Sequence, residues 1–150
     1  MDALYGSPED MSTRLVLREE NDTWIDVETS FGDLAGGTIT YLDNDQHFVW
    51  MSERDGYRHL YLYENDGAFV RQLTQGSWNV TSFHGIALDR DALFFTATAA
   101  SPLERHLYRV SFRDSDAAPV RITERAGSHN IDMSPDPRYY SPQTLSLIHI

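Results

Sequence analysis

Apolar and polar positions alternate along this chain with a period near two, in short runs. Stretches rich in Val, Ile, Thr, Phe, Tyr and Trp are separated by Asp, Asn and Gly, and no convincing stripe at helical spacing occurs. The pattern predicts strands over Thr38–Leu42, His47–Ser52, Arg58–Tyr63 and Ala68–Thr74. Turns fall at Asp43-Asn44-Asp45, Asp55-Gly56 and Asn65-Asp66-Gly67. Glycine suits these turns because it tolerates the positive φ that a tight hairpin demands. Together the four runs make a four-stranded meander.

The meander recurs. Val80–Leu88, the turn Asp89-Arg90-Asp91 and Leu93–Thr98 repeat its first two strands. Arg105-His106-Leu107-Tyr108 repeats Arg58-His59-Leu60-Tyr61 at a spacing of 47, and Val120–Thr123 repeats the strand that ends at Leu73-Thr74. Asn130–Met133, Pro135-Asp136-Pro137 and Arg138–Tyr140 open a third copy. Upstream, Arg14–Leu17 and Thr23-Trp24 resemble the last strand of a preceding one. Four strands repeating every ~40–50 residues are the mark of propeller blades, whereas an immunoglobulin-like sandwich has no internal sequence repeat. The expected fold is therefore all-β: an incomplete β-propeller of four-stranded antiparallel blades. Residues 1–37 hold the end of one blade and a connecting loop, 38–79 and 80–128 are blades, and 129–144 begin the next. Closed rings take roughly four to eight blades, so the 150 residues read as a piece of one.

Composition narrows the function. With 23 Asp+Glu against 12 Lys+Arg the net charge is −11, which repels phosphate and argues against nucleic acid and anionic lipid. No apolar run approaches the ~20 residues of a membrane span. The chain has no cysteine, hence no disulfide, thiolate nucleophile or Cys-ligated metal. All the cations are Arg, as a GC-rich genome would produce.

The chemistry-bearing motifs are sparse. A serine hydrolase needs the Gly-x-Ser-x-Gly elbow, which is missing; Ser77 and Ser128 each follow a glycine and read as turn residues. His-Glu-x-x-His and phosphate-cradling glycine loops are also missing. His47, His59, His84, His106, His129 and His149 are scattered, and the equivalence of His59 and His106 argues for a structural task. Glu19-Glu20 could hold an amine, but a solvated strand end is the plainer reading in an acidic chain. Glu53 and Arg54 could face a substrate; in a charged hairpin they more simply pair with each other. Trp24, Trp50 and Trp78, with Tyr57, Tyr61, Tyr63 and Tyr108, could form a sugar-stacking surface, but inter-blade packing explains their recurrence better. Asp43, Asp89 and Asp136 lie in different blades and make no calcium site. No catalytic, cofactor-binding or metal-ligating residue is assigned, and no cofactor is expected.

The run from Phe48 to Tyr63, containing Ser52-Glu53-Arg54-Asp55-Gly56-Tyr57-Arg58-His59-Leu60-Tyr61, resembles the N-terminal propeller of dipeptidyl peptidase IV. Val70-Arg71-Gln72-Leu73-Thr74-Gln75-Gly76-Ser77-Trp78-Asn79-Val80 extends the likeness. Asn21–Ile25 and Arg105–Tyr108 are similar to the bacterial branch of that family. The resemblance implies a parent serine exopeptidase of the prolyl oligopeptidase class, periplasmic or secreted, that removes N-terminal dipeptides from a peptide substrate. Its Ser-Asp-His triad would lie in a C-terminal α/β-hydrolase domain, outside these residues. The family's amine-binding glutamates belong to an Asp-Trp-x-x-Glu-Glu context that Glu19-Glu20 lacks, and Asp26–Ala35 matches no known contact. The alternative is a non-catalytic propeller that binds proteins. Residues 145–150 match the translated end of a transposon-type sequencing adapter and depart from the Asp/Arg-rich style before them.

Overall fold

Strands with both faces apolar must be covered on both faces, and that requirement organises the molecule. A computed structural model describes residues 2–6, 12–18, 39–42, 46–134 and 139–145, the backbone alone for 2–6 and 145. Twelve strands form within them: β1 (Asp2–Gly6), β2 (Thr13–Arg18), β3 (Ile39–Leu42), β4 (His47–Ser52), β5 (His59–Glu64), β6 (Phe69–Gln72), β7 (Val80–Ala87), β8 (Ala92–Ala97), β9 (His106–Val110), β10 (Val120–Arg121), β11 (Ser128–Met133) and β12 (Tyr140–Leu145). They build two four-stranded meanders, β3-β4-β5-β6 and β7-β8-β9-β10, flanked by the hairpins β1-β2 and β11-β12. Every named pairing is antiparallel.

Alternation sorts the side chains to opposite faces of each sheet. From β4 and β5, Val49, Leu60 and Leu62 point one way; they pack with Val80, Leu93, Phe95, Tyr108 and Val110 of the next sheet in one core. Phe48, Trp50, Tyr61 and Tyr63 point the other way, onto Val16 and Leu17 of β2. The far face of the second sheet, Phe94 and Leu107 among it, meets Ile131 and Met133 of β11. The sheets are therefore stacked face to face in chain order, as propeller blades are. Central strands are buried almost throughout: β8 is buried at all six positions and β5 at its first five. The central strands therefore read as nearly continuous apolar runs.

Backbone hydrogen bonds stitch the seams in a repeating way. The Val80 amide, opening β7, donates to the Arg58 carbonyl at 2.8 Å. The His129 amide, in β11, donates to the Arg105 carbonyl at 2.8 Å. Arg58 and Arg105 are the equivalent positions of the repeat, so each blade hands the chain to the next at the same point. Gly67 marks a close approach: at φ +96, a Cβ there would lie 1.9 Å from the Val16 carbonyl oxygen of β2.

Three details bear on the sequence reading. The second strand of the third copy begins at Tyr140, not Arg138; Arg138 and Pro135-Asp136-Pro137 lie outside the described residues. Leu145, the first residue of the suspected adapter tail, pairs with Ser128 at the end of the β11-β12 ladder. Residues 146–150, with His149, lie outside the described residues. The turn at Asp89-Arg90-Asp91 is a short 3-10 segment, Leu88–Arg90, closed by Asp91 in a left-handed conformation at φ 49.

Candidate functional site

The polar chemistry of the described residues gathers at the seams, where buried strands leave donors and acceptors that must be satisfied internally. His59 is 1% exposed at the start of β5. Its Nδ1 lies 3.1 Å from Thr74 Oγ1 and its Nε2 2.9 Å from the Gly76 carbonyl. The Leu60 amide also donates to Thr74 Oγ1 at 3.0 Å. That network fixes the proton: the carbonyl can only accept, so Nε2 carries the hydrogen and Nδ1 accepts from the Thr74 hydroxyl. His106, 47 residues on, repeats the pattern with Thr123 Oγ1 at 3.0 Å, and the Leu107 amide donates to that hydroxyl at 3.1 Å. Here Nε2 meets Glu104 Oε2 at 3.0 Å, and Glu104 Oε1 accepts the Gly127 amide at 3.0 Å. His129 reaches Thr144 Oγ1 at 3.2 Å and the Arg125 carbonyl at 2.8 Å. These Thr-His pairs superficially resemble a nucleophile and its base. Thr74 and Thr123 are buried and already hold a backbone amide, so they are latches and not reactive groups.

The electrostatics agree. Burial chiefly holds the His59 pKa below its ordinary value, against the opposing pull of the Gly76 carbonyl and Asp55. Hydrogen bonds from His106 and the Gly127 amide hold Glu104 below its ordinary value. Both depressed values mean that the unfolded chain binds more protons, so stability rises with pH across each window. Stability is expected to fall as pH drops below about 6.5, where unfolded His59 charges, and again below about 4.5 as Glu104 is neutralised. Urea unfolding midpoints between pH 7 and 4 check this: H59Q should flatten the upper step and E104Q the lower.

The charged hairpin 53–58 differs from expectation. Glu53 pairs with Arg58, not Arg54: Arg58 Nη2 and Nε stand 2.9 and 3.0 Å from Glu53 Oε1. Arg54 lies with its guanidinium 4.3 Å from the centre of the Tyr61 ring and donates from Nε to Ser52 Oγ. Neighbouring residues in a tight turn point apart, which gives Glu53 the partner across the hairpin. Tyr61 donates its hydroxyl to Asp55 Oδ2 at 2.7 Å, and burial with that bond raises its pKa.

The aromatic residues divide. Trp50 is 0% exposed, and Trp78 packs edge-on to His59 and stacks with Phe95 and Tyr108 across the seam. Tyr61, Tyr63 and Tyr108 are buried, but Tyr57 is 39% exposed, contrary to its placement in the core; it sits at the hairpin tip, away from both faces. Trp24, Glu19-Glu20 and Asp26–Ala35 lie outside the described residues. Ser77 is exposed in a turn, whereas Ser128 opens β11 and donates to the Leu103 carbonyl at 3.4 Å. Among the described residues no group of three or more His, Asp or Glu could hold a metal ion, and no helix is long and apolar enough to cross a membrane.

Two things escaped the sequence. One is the Thr74 and Thr123 partners of the repeated histidines. The other is a cleft of about 300 Å³ between β7 and β11, lined by Thr81, His84, Arg105, Ser128 and Asn130 among others.

The comparisons with known proteins settle the family. The model of the dipeptidyl peptidase IV (DPP IV) N-terminal region matches residues 3–146. This chain belongs to that family. A probable dipeptidyl peptidase 4 of Aspergillus flavus is 31% identical over 123 residues, covering 82% of this chain and 16% of that protein. A probable dipeptidyl peptidase 4 of Emericella nidulans is 34% identical over 106 residues, covering 69% of this chain and 14% of that protein. The crystal structure of Porphyromonas gingivalis dipeptidyl peptidase 4 superposes with a TM-score of 0.78 at 23% identity, over 94% of this chain and 18% of that one. The shared fold is that of an incomplete β-propeller. The chain spans about a sixth of the relatives it matches.

Proposed function

We propose that these blades are part of the wall of a dipeptidyl peptidase 4-type serine exopeptidase, in which a separate α/β-hydrolase domain cleaves dipeptides from peptide N-termini. The observation that carries the reading is the family match over residues 3–146, joined to the seam that the Ser52–Tyr63 run builds. In this reading the chain supplies scaffold and no bond-making group. Gly-x-Ser-x-Gly does not occur in the 150 residues, and the Thr hydroxyls nearest to histidine in β5 and β9 are committed to latches. The blades would limit which peptides reach the reacting serine, whose attack a histidine assists and backbone donors stabilise.

The test is the activity of the full-length protein encoded around this segment. Release of arylamine from Gly-Pro and Ala-Pro arylamides is expected, with none from the N-acetylated forms. A full-length protein without a Gly-x-Ser-x-Gly hydrolase domain, or without dipeptide release, would overturn the proposal.

A further inference from the structure

The first strand of the second blade, β7, has two places where its ladder with β8 slips: between Val80 and Ser82, and between Phe83 and Gly85. Each slip leaves one residue without a partner in register, and those residues are Thr81 and His84. A bulge turns its extra side chain away from the alternation of the strand. Both extra side chains reach the same residue of β8: Thr81 Oγ1 donates to the Thr96 carbonyl at 3.1 Å, and His84 Nε2 bonds Thr96 Oγ1. The two bulges thereby place a hydroxyl and an imidazole on one wall of the cleft between β7 and β11.

The opposite wall adds Arg105, Ser128, His129 and Asn130. Arg105 uses Nη1 for the Pro102 and Glu104 carbonyls, at 3.0 and 3.1 Å. No described carboxylate pairs with it, which leaves the donors at Nε and Nη2 uncommitted. The lining of this cleft contains no Asp or Glu; Glu53 borders the adjoining cavity that Arg105 and Thr81 also line, and is paired there with Arg58. An arginine facing hydroxyls and amides in a carboxylate-free cleft suits an anion, and its planar fork suits a carboxylate best.

We propose that the cleft between β7 and β11 binds a free carboxylate, that of a short peptide's C-terminus, with Arg105 as the cationic contact and the side-chain amide of Asn130 as a neutral donor on the same wall. The source of the carboxylate can be separated experimentally. Calorimetry on the full-length protein would use N-acetyl-Ala-Ala, its C-terminal amide, and acetate. The acetylated amine keeps the ligand from behaving as a dipeptidyl peptidase substrate, so the result stands whether or not the exopeptidase reading does. The peptide acid is expected to bind at least about tenfold more tightly than the amide and than acetate.

R105Q should abolish that preference. N130D, which adds a negative charge at an exposed position and leaves the Arg105 contacts in place, should weaken the acid about tenfold with an unchanged unfolding midpoint. Equal binding of acid and amide, or an N130D protein that binds the acid as before, would overturn the site. Acetate binding as tightly as the peptide would overturn its assignment to a peptide terminus.

Discussion

Replacement of Trp50 by alanine is expected to lower the stability of these blades by about 3–5 kcal/mol. The indole is 0% exposed and stands on β4 opposite Tyr61, within the cluster of Phe48, Tyr61 and Tyr63. Phe48 stacks on Tyr63 with ring centroids 5.3 Å apart, so neighbouring side chains are held in place and cannot readily collapse into the space left behind. The same cluster carries Val16 and Leu17 of β2, and its loss loosens the first hairpin from the blade as well as hollowing the blade. Y57A is the matched control: the ring is exposed at a hairpin tip, and its removal should change stability by less than about 0.5 kcal/mol. Urea unfolding of the two variants in the full-length protein reads the difference. A Trp50 variant as stable as Y57A would mean that the aromatic repeat is a surface feature and that the blades do not stack through it.

How far the chain announced this architecture depends on which kind of signal each element carries. Turns are local, so Asp55-Gly56 and Asn65-Asp66-Gly67 marked the ends of β5 without knowledge of its partners. The repeat was legible because Arg58-His59-Leu60-Tyr61 and Arg105-His106-Leu107-Tyr108 perform one structural task twice, one handing the chain to β7 and the other to β11. The latch threonines were not legible for a converse reason. Thr74 follows its histidine by 15 residues and Thr123 by 17, since the connection between β9 and β10 is longer than that between β5 and β6. The repeat aligned Thr74 with Thr123, but their unequal offsets from His59 and His106 concealed that each threonine holds its histidine. Glu53 and Arg54 failed for want of geometry: adjacency in sequence is not adjacency across a hairpin.

The cleft failed differently again. A bulge breaks the period-two pattern, so Thr81 and His84 look like ordinary members of a strand until the ladder is traced. What could have drawn attention to them is Gly85, a glycine inside an otherwise regular strand, which often marks a bulge. Its φ of +146 lies in the range that side chains rarely adopt. Family membership was legible from the Phe48–Tyr63 run because that run combines turn, seam and core in sixteen consecutive residues, each constrained for its own reason.

The latch itself makes the second large prediction. Threonine and valine have nearly the same shape, so T74V tests the hydroxyl with little change in packing. In the native blade that hydroxyl accepts the Leu60 amide and donates to His59 Nδ1, and all three groups are buried. Valine leaves a backbone N–H and a ring nitrogen without partners in a place water does not reach. An orphaned buried group costs ~1–3 kcal/mol, so the pair should cost about 2–6 kcal/mol in all. T74S keeps the oxygen and loses one methyl group, worth about 0.8 kcal/mol. The decisive quantity is the difference between the two variants, because only valine breaks the latch and only serine carries the packing loss. T123V against T123S should repeat it in the second blade, where Leu107 and His106 take the same two places. Valine and serine variants of equal stability at both positions would show that the repeated histidines fill space and nothing more.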